Sequence, residues 1–283
     1  MSDDPKSASD PVGPTDGKST DAVPPPLPVR AGVEGLAERP SPSAPWGFCA
    51  TMGLGLLVAA GYLQTQSIAL AMLEVVANAV GQGGGAQGQP AEGLYVALAT
   101  CATTPITVGL VWLFARLRRG ISVIEYLALK PLSWGATARW CGALMGLVIL
   151  SDGLTTVLHR PLVPEVMVQM YRSAGFVPLL WLAVVVAAPL GEETFFRGFV
   201  FKGILHSRLG GTGAVVLTAL VWAVMHQQYD LYGVANVFAA GLLLGYARLR
   251  TNSIYPGLLM HAVMNLIATI EVAVVIRLSG GSN

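Results

Sequence analysis

The sequence predicts an all-α, polytopic membrane helix bundle of about seven to eight transmembrane helices. Three observations lead there. Of 283 residues, 53% are hydrophobic and only 12% are charged, about half the charged fraction of an ordinary soluble domain, and mean hydropathy is +0.60. Apolar runs recur along the chain, most of them near the length of about 20 helical residues that crosses a hydrocarbon core. The period-two alternation of barrel strands is absent, and in lipid a backbone must satisfy its own hydrogen bonds, which leaves helices. A net charge of +1 excludes a strongly basic nucleic-acid surface, so the expected surroundings are the lipid bilayer, with no nucleic-acid partner. Cys49, Cys101 and Cys141 sit in apolar runs, too far apart for a zinc ribbon or redox pair. They read as small hydrophobes.

The elements follow in order. Residues 1–45 are rich in Pro, Ser, Asp and Gly, as in Pro24-Pro25-Pro26 and Pro40-Ser41-Pro42-Ser43. Such a stretch buries too little apolar surface to offset chain entropy and is expected to be a disordered cytoplasmic tail. It does not read as a signal peptide, because no short cationic leader precedes an early apolar run. Residues 46–283 are expected to form the transmembrane domain. Apolar segments fall at about 47–72, 94–116, 137–158, 177–201, 211–228, 231–248 and 254–277. The fifth and sixth are short and nearly contiguous. Gly81 to Gly88 reads as a flexible loop. Residues 119–133 are mildly amphipathic and read as an interfacial helix ending before Pro131.

Orientation follows from the short-loop cations. Arg116, Arg118, Arg119 and Lys130 follow the second segment, Lys202 and Arg208 the fourth, and Arg248 and Arg250 the sixth. The opposite side carries Arg160, Arg172 and Arg277. The expectation is a multi-pass protein of the cell (inner) membrane with a cytoplasmic amino terminus.

An ionisable group at the centre of a membrane helix costs at least about 2.5–3.5 kcal/mol on insertion scales. Such groups concentrate in the second half of this chain. The fourth segment carries Glu192, Glu193 and Arg197, the fifth ends at His226, and the seventh carries His261 and Asn265. Glu193 and Arg197 are i, i+4 and face one way as an ion pair, whereas Glu192 lies about 100° around the helix. His261 and Asn265 are also i, i+4. Pro189 is expected to kink the helix just before Glu192 and open room for water or a ligand. Arg139 and Asp152 read as end residues of the third segment, His159 and His206 as solvated loop residues, and Trp222 as a packing residue that walls a cavity.

A carboxylate in a low-dielectric cavity binds protons more tightly than in water. Glu192 is therefore suited to take a proton from water and return it to a leaving group. His226 is placed to orient that water, and His261 with Asn265 to donate to an oxyanion. The set fits amide hydrolysis at a membrane. Two other classes compete with it: a proton- or ion-coupled transporter, and a non-catalytic membrane immunity or scaffold protein that keeps polar residues as interhelical glue. HExxH, GxSG and GxGD motifs are absent.

Glu192-Glu193-Thr194-Phe195-Phe196-Arg197 resembles the EExxxR motif of the CPBP intramembrane proteases, a family that includes type II CAAX prenyl proteases and bacteriocin-processing (Abi) relatives. Trp222-Ala223-Val224-Met225-His226 resembles its FxxxH motif, with Trp in place of Phe. His261-Ala262-Val263-Met264-Asn265 resembles its HxxxN motif. The likeness covers about 177–270 and implies a protease-like core at 177–277. It implies Glu192 as the water-activating residue, Glu193 and Arg197 as its support, His226 as its assistant, and His261 with Asn265 at the oxyanion. Substrates implied are CAAX-type peptides, bacteriocins or membrane proteins. The family is often described as metalloprotease, and Glu with two His permits a three-ligand open site for Zn2+ or another divalent metal. The same residues equally permit a metal-free glutamate mechanism.

Overall fold

Helices account for every regular element among the described residues, as a water-free surrounding requires. A computed structural model describes residues 44–79 and 92–280, all within the compact unit Pro42–Asn283. The tail residues 1–43 and the loop Gly81 to Gly88 lie outside the described residues. The helices are α1 (Phe48–Ala79), α2 (Glu92–Leu117), α3 (Val123–Tyr126), α4 (Trp134–Val157), α5 (Glu165–Arg172), α6 (Val177–Leu205), α7 (Gly210–Val224), α8 (Leu231–Thr251) and α9 (Tyr255–Gly280).

Six of them, α1, α2, α4, α6, α8 and α9, are long and apolar enough to cross a membrane. All seven expected apolar segments are helical, but the fifth, α7, has only 15 residues and spans about 22 Å at about 1.5 Å per residue. Large apolar side chains face outward on the long helices, among them Leu56, Leu57, Ile149 and Leu150. A surface of that kind suits lipid and not water.

Local sequence sets the helix ends. The Ser133 hydroxyl accepts from Ala136 N–H at the start of α4, and the Asp230 carboxylate accepts from Gly233 N–H at 2.9 Å at the start of α8. These side chains satisfy orphan amides of the first turn. Asn252 closes α8 in the left-handed region (φ 48°), a conformation Asn tolerates. Asp230 is also paired with Arg160, from the turn after α4.

Residues 119–133 differ from the expected interfacial helix. Only Val123–Tyr126 is helical, and Tyr126, Leu127 and Ala128 are buried. The Tyr126 ring stacks on Phe199 of α6 at 5.6 Å, and burial pushes its phenol up to about 12. Ala128 C=O accepts from Ile254 N–H at 3.1 Å, and Lys130 C=O accepts from the Ser253 hydroxyl. The segment's apolar residues are therefore used to brace α6 and the α8–α9 turn, which competes successfully with the membrane surface for them.

α6 is the most buried of the six spans. It departs from α geometry twice, widening into π-helical turns over Leu182–Ala187 and Thr194–Val200, on either side of the α-helical stretch Ala188–Glu193. Pro189 lies in that stretch, where its missing N–H interrupts the i→i−4 ladder. π-turns of this kind cluster at functional sites.

α7 and α8 pack closely because small residues meet. A Cβ on Gly241 would lie 3.0 Å from Ala219 Cβ and 3.1 Å from Trp222 Cε3, and one on Gly245 would lie 3.3 Å from Val215 Cα. Gly241 and Gly245 form a GxxxG pair that lets the two backbones approach. Gly241→Val should force them apart at a cost of about 1–3 kcal/mol. A lower unfolding midpoint of the purified protein in detergent checks this.

Candidate active site

The three motifs converge on one region between α6, α7, α8 and α9. Glu193 and Arg197 are both 0% exposed, with Arg197 Nη1 donating to Glu193 Oε1 at 2.8 Å. Their i, i+4 spacing makes the pair, as expected from the sequence. His261 Nδ1 meets the same Oε1 at 3.1 Å, so one carboxylate oxygen serves two partners from two helices. Arg197 Nη2 donates to Gly241 C=O at 3.3 Å, and the guanidinium lies 4.8 Å from the centroid of the Trp222 ring. Among the described residues Glu193 Oε2 and Arg197 Nε have no hydrogen-bond partner. Glu193 Oε2 packs against the first turn of α9, where a Cβ on Gly257 would lie 2.8 Å from it. Only glycine leaves space for the carboxylate there.

Glu192, one residue earlier, points elsewhere, as the 100° offset requires. It is half-buried, and its Oε2 accepts from Trp222 Nε1 at 2.5 Å. Trp222 packs edge-on against both imidazoles, with centroids 5.1 Å from His226 and 5.1 Å from His261. His226 follows the end of α7, and its Nδ1 lies 2.8 Å from Trp222 C=O. A carbonyl only accepts, so Nδ1 carries a proton, and Nε2 is the ring nitrogen that this carbonyl does not engage. His226 reaches Glu192 through Trp222, not by a direct hydrogen bond.

Asn265 is one turn beyond His261 on α9. Its Nδ2 donates to Val184 C=O, in the first π-turn of α6, at 2.8 Å. An amide nitrogen has two hydrogens, so one holds the side chain and one remains. Thr104 Oγ1 of α2 donates to Ala187 C=O at 2.9 Å. The irregularity expected at Pro189 thus exposes carbonyls that Asn265 and Thr104 cover.

Some participants escaped the sequence reading. Trp222 is a hydrogen-bond donor to Glu192 and not only a wall. Arg248 was expected in a cationic loop but is buried inside α8, donating from Nε to Arg197 C=O at 2.9 Å and from Nη1 to Asn252 Oδ1 at 3.0 Å. Lys202, also expected in a loop, is a buried residue of α6. Both sit where helices extend past the hydrophobic run that marked their ends. Tyr229 stacks on His226 at 6.1 Å. Burial, opposed by a hydrogen bond with Gln228 and reinforced by the Glu192 carboxylate, raises its phenol above the ordinary value. An aromatic at i+3 from His226 was the signal available for it.

The donor set does not fit a metal ion. Among the described residues no group of three His, Cys, Asp or Glu side chains is placed to hold one. Glu193 is committed to Arg197 and His261, and Glu192 Oε2 to the indole.

Breaking the buried pair should cost far more than a surface bridge would. Arg197→Met strands a carboxylate in the core and should destabilise by about 3–5 kcal/mol. The double variant Glu193→Gln/Arg197→Met should recover a large part of that loss, as read from unfolding midpoints in a double-mutant cycle.

Residues 174–267 match the family model described as Rce1-like: Type II CAAX prenyl endopeptidase Rce1-like. An Escherichia coli protein described as "Uncharacterized 24.3 kDa protein" is 36% identical over 94 residues, which are 32% of this chain and 42% of that relative. The match therefore spans less than half of that relative's length. No solved structure matches the chain. The matched span runs from just ahead of α6 into α9 and contains Glu192, Glu193, Arg197, His226, His261 and Asn265. All six side chains therefore fall within the stretch of the chain that is similar to the Rce1-like family model.

Proposed function

We propose that the protein is an intramembrane endopeptidase that hydrolyses peptide bonds of membrane-associated substrates near the cytoplasmic face. CAAX-type peptides, bacteriocins and membrane proteins are the substrate classes in view. The observation that carries this reading is Glu192. It is a half-buried carboxylate whose Oε2 is tied to Trp222, the ring against which two imidazoles pack, each held at Nδ1. Nothing about interhelical glue calls for that many oriented, incompletely used polar groups around one ring.

In this reading Glu192 Oε1 takes a proton from water as the water oxygen attacks the scissile carbonyl carbon. His226 assists from Nε2 by accepting a hydrogen bond from the same water. The carbonyl oxygen becomes an oxyanion and accepts from the remaining Asn265 N–H. His261 donates its Nδ1 proton to Glu193, so it can donate to the oxyanion from Nε2 only as the imidazolium. Glu192 then returns its proton to the leaving amine, the carbon–nitrogen bond breaks, and the enzyme is restored. Glu193 and Arg197 neither give nor take protons; they fix His261 and the turn of α6 that carries Glu192. No step passes through a metal ion. The protease-like core is 177–277, and the earlier helices brace α6.

Glu192→Gln should lower the turnover of a membrane-tethered peptide by about 10²–10⁴-fold, the contribution of a positioned general base, with KM little changed. A folded Glu192→Gln protein that cleaves at the native rate overturns the reading. Dialysis against a chelator should leave turnover intact. Loss with chelator and recovery on adding zinc would replace the metal-free route.

A further inference from the structure

We propose that Trp222 is a positioning residue for Glu192, its indole N–H selecting which carboxylate oxygen is free to act. The inference rests on the reading of Glu192 as the base. The FxxxH motif asks only for a bulky ring here, and a phenyl ring would have no donor to offer. Trp222 is 1% exposed, and a buried indole N–H ordinarily finds an acceptor. Among the described residues the buried Nε1 of Trp181 nevertheless lacks one. At Trp222 the acceptor is the carboxylate Oε2 of Glu192.

The indole has little freedom to turn away. Gly241 of α8 closes on its Cε3 edge, Arg197 lies against its face, and His226 and His261 meet it at interplanar angles of 72° and 75°. The N–H direction is therefore set by four residues from four helices or their ends. A hydrogen bond from a fixed donor to an ionised acceptor holds the carboxylate rotamer more firmly than a neutral pair would. With Oε2 occupied, Oε1 is the oxygen left for water. The same ring that orients Glu192 spaces the two imidazoles around it. One substitution relative to the family motif thus adds a polar link at the centre of the site.

The test uses the full chain in lipid nanodiscs with a membrane-tethered peptide, comparing the native protein, Trp222→Phe and Glu192→Gln. Trp222→Phe keeps the ring and removes only the donor, so kcat should fall about 10–100-fold while KM stays within about threefold. The second readout is the indole N–H proton resonance of Trp222 in the 15N-labelled protein, assigned among the six tryptophans by its loss in Trp222→Phe. It should lie downfield of the others and shift upfield in Glu192→Gln, when the acceptor loses its charge. A native kcat in Trp222→Phe with an inactive Glu192→Gln overturns the positioning role and leaves the base assignment standing. A rise in KM alone also overturns it, because the residue is then a wall for substrate. Native turnover in Glu192→Gln removes both. If Trp222→Phe does not fold, the Glu192→Gln spectrum decides alone: the link is absent if none of the six indole N–H resonances moves upfield.

Discussion

The structure depends on keeping one buried carboxylate charged. Glu193 is fully buried, and moving an ion of its size into such a place costs several kcal/mol unless partners replace the lost hydration. Oε1 receives Arg197 and His261 together, and the arginine in turn needs Gly241 C=O and the face of Trp222. Glycine at 257 admits Oε2 against the start of α9. Four helices or their ends therefore meet to accommodate a single pair of charges. None of α6, α8 and α9 is free to move without stranding an ion.

Satisfying α6 binds the bundle together in a second way. Its two π-turns release carbonyls that lipid cannot hydrogen-bond. Val184, Ala187 and Arg197 offer those carbonyls to Asn265 of α9, Thr104 of α2 and Arg248 of α8. Each donor is a side chain from a different helix, so the irregular helix is held from three directions. Residue types that would face water in a soluble protein act here as brackets. Asn265 is both a bracket and a donor next to the site, so stability and candidate chemistry draw on the same atoms.

Around that frame the groups of the candidate site are arranged on one aromatic ring. Trp222 touches Glu192 by a hydrogen bond, both imidazoles by ring edges, and Arg197 by its face. The two histidines are each engaged at Nδ1, by a carbonyl in one case and a carboxylate in the other, which orients both rings. Glu192 differs from its neighbour Glu193 because one faces a cation and the other an indole. Two adjacent carboxylates thus acquire different surroundings from a 100° turn of helix.

Much of the fold was legible without coordinates. An apolar run of sufficient length has one backbone solution in lipid, so the seven helical segments followed from composition and spacing. The Glu193–Arg197 pair followed as directly, because i, i+4 neighbours share a face on any helix. The short helix at Val123–Tyr126, the buried Arg248 and Lys202, and the partners of the π-turn carbonyls did not follow. Local hydropathy is blind to which distant helix supplies an acceptor or a cover. Nor did the sequence distinguish a wall from a donor at Trp222, since an indole packs and donates with the same side chain. Residue type and spacing determined which polar groups enter the bundle and on which helical faces they stand. The packing of four helices decided which of those groups touch, because a hydrogen bond across about 3 Å is made or lost by the relative placement of whole helices, which pairwise spacing along one chain does not specify.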